Sequence, residues 1–125
     1  MGNSDLSEEQ QTELISTART TVGDELRSLS YFTEEEVEQL YLRNDLDRTA
    51  DLVGFAENER LGFRSQQAYE GSQLGQYQFT IRVFKNGYLI RVIDDEQGVW
   101  VTTDGMKIDR FEELANALTS ALREF

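Results

Sequence analysis

The 125 residues carry 24 carboxylates against 12 cations, a net charge of −12, and contain no His, Cys or Pro. Without His or Cys there can be no Ser-His-Asp triad, imidazole base, thiol chemistry, disulfide or zinc-thiolate site. The charge sign disfavours non-specific nucleic-acid binding, and the length suits one domain able to bury a real core.

Residues 1–6 read as a ragged, disordered start without signal-peptide character. Ser7 with Gln10 makes a capping box. Glu8 and Glu9 occupy the first turn, where the helix dipole favours anions. Leu14, Ile15, Ala18 and Val22 form one apolar stripe, and Gly23 closes this first helix. Leu26–Phe32 reads as a short strand, with Leu29 and Tyr31 alternating against Ser28 and Ser30. Thr33 with Glu36 repeats the capping-box pattern and predicts a helix to about Arg43, with Val37, Leu40 and Tyr41 inward. Asn44-Asp45 breaks it. A third helix is expected over Asp47–Arg60, burying Ala50, Val53 and Ala56, with Leu52 and Phe55 close by. Gly54 weakens it by about 1 kcal/mol relative to Ala. Residues 61–76 show little pattern beyond an irregular edge strand around Phe63–Tyr69.

From Tyr77 to Thr103 the chain reads as a three-strand meander. Tyr77, Phe79, Ile81 and Val83 alternate with Gln78, Thr80 and Arg82. Asn86-Gly87 is the favoured pair for a type I′ turn. Centring the turn there sets Val83 opposite Ile90, Phe84 opposite Leu89 and Arg82 opposite Arg91. A four-residue loop, Asp94-Asp95-Glu96-Gln97, then pairs Val92 with Val99 and Arg91 with Trp100. It buries both valines of the third strand; a five-residue loop would turn Trp100 inward instead. Asp109 and Glu112 make a third capping box. Phe111, Leu114, Ala115, Leu118, Ala121 and Leu122 follow the helical template without a miss.

The fold class is therefore α+β. An antiparallel sheet of the 77–103 meander plus a strand at 26–32 is packed by N-terminal, middle and C-terminal helices. The chain has no P-loop and no Gly-rich dinucleotide fingerprint. Asp94-Asp95-Glu96 lacks EF-hand spacing. Nothing calls for a cofactor or a metal, and no apolar run reaches membrane-spanning length. The protein is expected to be a non-enzymatic, cytoplasmic interaction domain.

The candidate binding residues are Arg82, Arg91, Trp100, Phe84 and Leu89, on one face of the meander. Two arginines directly opposite each other are unfavourable. They need carboxylates from the same chain, carboxylates from a partner, or a bound anion. Trp100, Phe84 and Leu89 make that face too apolar for open solvent. Either an intrachain helix or a second subunit covers it, and the second possibility implies a homodimer or a protein partner. A winged-helix regulator is the alternative reading, with Asp47–Arg60 as recognition helix and Lys85-Asn86-Gly87 as wing tip. The acidic residues of that helix oppose it.

The run from Tyr77 to Tyr88, the run from Gly98 to Gly105, and Tyr31-Phe32-Thr33 with the helix ending Gln39-Leu40-Tyr41-Leu42-Arg43 resemble a family of short acidic proteins of halophilic archaea. The acid excess with only two lysines, Lys85 and Lys107, fits that resemblance. It implies a salt-adapted single domain and assigns no site. The element order is also similar to roadblock or profilin-like domains, apart from a missing second strand before the middle helices.

Overall fold

The computed structural model describes residues 6–48, 51–52, 54–105 and 109–125, with Asp109 described by its backbone alone. Strands β1 (Leu26–Phe32), β2 (Val37–Leu42), β3 (Thr80–Phe84), β4 (Gly87–Asp94) and β5 (Gln97–Thr103) form one antiparallel sheet in the order β2-β1-β5-β4-β3. Helices α1 (Glu8–Val22) and α4 (Asp109–Arg123) cover one face. The short helices α2 (Phe55–Arg60) and α3 (Gly62–Ser65) lie over the other. The α+β class inferred from periodicity is the one observed.

The α1/α4 face is the larger core, and its residues are those the patterns select. Leu14, Ala18 and Val22 of α1 and Phe111, Leu114, Leu118 and Leu122 of α4 are buried against Leu29, Ile90, Val92, Val99 and Val101 of the sheet. Ser7 caps α1, accepting from Gln10 N at 3.1 Å while Gln10 Oε1 accepts from Ser7 N at 2.9 Å. Leu6 is buried on this core rather than part of a loose start, whereas residues 1–5 lie outside the described residues. The capping box at Asp109 also lies outside them, since it depends on that side chain. No helix among the described residues is long and apolar enough to cross a membrane.

Three local expectations are corrected. The helix from Thr33 to Arg43 is instead a turn followed by β2. Thr33 Oγ1 accepts from Glu36 N at 3.1 Å and Glu35 N at 3.3 Å, and the strand then pairs with β1. A capping Thr and a turn-closing Thr make the same local hydrogen bonds. Pairing with Leu26–Phe32 favours the strand. The single helix over Asp47–Arg60 is only the six residues of α2. Thr49, Ala50 and Val53 lie outside the described residues. The stretch Phe63–Tyr69 is not an edge strand: α3 is followed by a 3-10 turn over Gln66–Tyr69. Among the described residues of 47–60 only α2 is helical, so nothing supports the winged-helix reading.

The first hairpin is shifted from its expected register. Phe84 pairs with Gly87, Val83 with Tyr88, Ile81 with Ile90 and Thr80 with Arg91, so Lys85-Asn86 forms the turn. Gly87 is a strand residue, and its role is close approach. A Cβ there would collide with the carbonyl oxygen of Thr103 on β5, so glycine is needed for packing rather than for a type I′ turn. The second hairpin keeps the expected pairs Val92–Val99 and Arg91–Trp100 but closes two residues tighter, at Asp95-Glu96. Asp95 takes a positive φ there, which Asp tolerates better than most residues.

Candidate functional site

All five candidate residues sit on or beside the α2/α3 face. Trp100 and Leu89 are fully buried there with Phe32, Phe63 and Ile93. Phe32 stacks at a tilt on both Trp100 and Phe63, with centroids 5.2 Å apart in each pair. The apolar outer face read from the meander is real, and the chain's own helices and loops cover it. Phe84 remains 51% exposed at the sheet edge.

Arg82 and Arg91 share that face but are not directly opposite. Arg82 pairs with Leu89 and Arg91 with Thr80, which sets the two arginines on a diagonal. One carboxylate meets both. Glu59 of α2 accepts from Arg82 Nε at 2.7 Å and from Arg91 Nη1 at 3.0 Å. Glu59 is only 1% exposed. Arg91 is also buried, and its Nη2 donates to Thr80 at 2.9 Å and Tyr77 at 3.4 Å. The Tyr77 ring, not the Trp100 ring, takes the cation–π contact, with the guanidinium carbon 5.9 Å from its centroid. Gly62 completes the arrangement, because a Cβ there would collide with the Arg91 guanidinium. A buried carboxylate between two guanidinium groups can latch a short helix to a sheet.

A second hub holds the entry to α2, and the sequence reading missed it. Asp51 has φ +60°. Its carbonyl accepts from Trp100 Nε1 at 3.4 Å. Its carboxylate accepts from Arg27 Nε at 3.0 Å and Nη2 at 3.3 Å, and from the Thr102 hydroxyl. The left-handed conformation lets one residue direct both its carbonyl and its side chain at the sheet. Arg27 also faces Asp104 at 3.7 Å, and Arg43 bridges Asp104 at 2.7 Å and Asp45 at 2.6 Å. The Asp51 hydrogen bond raises the Arg27 guanidinium above its usual range. Bonds from Asp104 and then Asp45 raise that of Arg43, which in turn depresses the Asp45 carboxyl. Alternating charge along this row removes the repulsion that its acidic members would otherwise feel.

At the sheet edge, β3 has no strand beyond it among the described residues. Val83 is 73% exposed on the α1/α4 side of that edge and Phe84 is exposed on the other. Among the described residues, no group of three His, Cys, Asp or Glu is placed to hold a metal ion.

A family model described as a domain of unknown function, DUF7522, matches residues 12–123. The chain belongs to the DUF7522 family. A comparison with curated proteins finds no match for this DUF7522 chain. Among solved structures it is similar to the gliding protein MglB of Thermus thermophilus, at 12% identity over 96% of each chain with a TM-score of 0.67. It is also similar to MglB with a tetrameric arrangement, at 13% identity over 95% of this chain and 94% of that one, TM-score 0.66. MglC of Myxococcus xanthus matches at 7% identity over 90% of this chain and 99% of that one, TM-score 0.53. At such identities the likeness shows the fold alone. These neighbours are roadblock-like domains, so the architectural likeness read from the sequence holds for the DUF7522 fold. The strand that had been missing from it is β2.

Proposed function

We propose that this domain is a non-enzymatic interaction module that pairs with a second copy of itself through β3. One observation carries the reading: both sheet faces are covered by the chain's own helices, whereas the β3 edge stays open with Val83 and Phe84 exposed on either side of it. An open edge with apolar side chains is a template for another strand. Phe84 and the outward part of Arg82 are then the contact residues, and Arg91, Trp100 and Leu89 support them from inside. The neighbour with a tetrameric arrangement favours self-association as the use of this fold. Sedimentation over a concentration series tests the proposal. The native chain is expected to associate, and Val83→Lys, a charge on the edge, is expected to weaken association by about tenfold or more. A native chain that stays monomeric throughout, or a variant that associates equally well, overturns it.

The acid excess supports a second element of the proposal, a cytoplasm rich in salt such as that of a halophilic archaeon. Self-repulsion from a net charge of −12 destabilises the compact chain when it is unscreened. At 1 M salt the screening length falls to about 3 Å. The melting temperature is therefore expected to climb steadily between about 0.1 M and about 3 M KCl. A flat profile contradicts this element and leaves the pairing proposal standing.

A further inference from the structure

A cavity of about 390 Å³ opens between the β3–β4 turn and the start of α2, at the end of the sheet where Arg27 and Thr102 lie. Its apolar lining comes from Phe55 and Phe84. Its charged groups are Arg27, Lys85 and Asp51. The Asp51 carboxylate is committed to Arg27 and Thr102. Among the described residues Lys85 has no ion-pair partner. In a chain with twice as many carboxylates as cations, this concavity has two cations to one carboxylate. A lone cation at the rim of an apolar recess favours a ligand with a flat apolar body and a single negative charge. The recess is held open by groups that cannot easily collapse into it. Asp51 is fixed by its bonds to the sheet, and Thr102 is bonded to Ser28 at 2.6 Å.

We infer that this cavity binds a small organic monoanion, with the aromatic side chains taking its apolar body and Lys85 pairing with its charge. The recess borders the pairing surface proposed above through Phe84, whereas Val83 lies on the other side of the strand.

The probe is 8-anilinonaphthalene-1-sulfonate, added to the full chain in high salt. It is expected to bind one saturable site and to quench Trp100, the chain's one tryptophan, which donates to the carbonyl of cavity residue Asp51. Lys85→Glu alters an exposed turn residue and is expected to weaken binding about tenfold. Phe84→Ala is expected to weaken it several-fold, while Val83→Lys leaves it unchanged even if association is lost. N-phenyl-1-naphthylamine has the same apolar body without the sulfonate and is expected to bind about tenfold more weakly. The inference is overturned if the native chain shows no saturable binding, or if Lys85→Glu and Phe84→Ala bind as the native chain does. Equal binding of the neutral compound overturns the assignment of an anion.

Discussion

Glu59→Gln is expected to lower stability by about 3–5 kcal/mol, the range for removing one partner of a buried ion pair. The substitution keeps the shape and removes the charge. Arg91, whose side chain is only 7% exposed, is then left in the interior with no anion. Arg82 fares better because more of it reaches water. Urea denaturation reads the loss as a lower midpoint at an unchanged slope. A change below about 1 kcal/mol would mean that water screens the cluster as it screens a surface pair. The double substitution Glu59→Leu with Arg91→Leu separates the two contributions. Replacing both charges with apolar groups is expected to recover much of the loss. Because the cluster is buried, added salt is expected to alter this cost little.

Trp100→Ala is expected to cost about 3–5 kcal/mol by emptying the centre of the α2/α3 face. It removes the ring that stacks on Phe32 and the indole N–H that holds the Asp51 carbonyl. The effect should be uneven across the molecule. Amide exchange in α2 and α3 is expected to quicken far more than exchange in α4, whose core lies beyond the sheet. Uniform acceleration would show that the two cores melt as one unit.

Where one periodicity dominated, the sequence disclosed the structure. Leu26–Phe32 and the stripes of α1 and α4 follow from alternation or the helical repeat alone, and the β4–β5 register follows once Val99 and Val101 are required to be buried. It misled where one residue served two local purposes. Thr33 with Glu36 looks the same as a helix cap and as a turn. Asn86-Gly87 looks like a turn centre, but Gly87 answers to a carbonyl on β5 that no neighbour in sequence reveals. Glu59 was invisible for another reason. Among Glu57, Asn58 and Arg60 it reads as one more solvated charge, and only the fold brings Arg82 and Arg91 to it. Asp51 is similar, since a positive φ leaves no trace in residue type when the residue is Asp. The cover over Trp100 could be anticipated as a need, while the identity of the cover could not.

The strand order places β1 between β2 and β5, and this governs how the chain reaches its native state. The β3–β4–β5 meander is joined by short turns and can assemble on local contacts within microseconds. The bond between Ser28 and Thr102 closes a separation of 74 residues. That closure carries an entropic penalty which grows with the logarithm of the loop. The zipping of β1 onto β5 is therefore expected to be the late step in folding. Until it occurs, the β1–β2 hairpin and the meander each expose a bare strand flank. On a ribosome the first hairpin must wait for β5 to be synthesised. In a refolding tube the same interval is when one chain can take β1 from another, so dilution during refolding should favour the correctly closed monomeric unit.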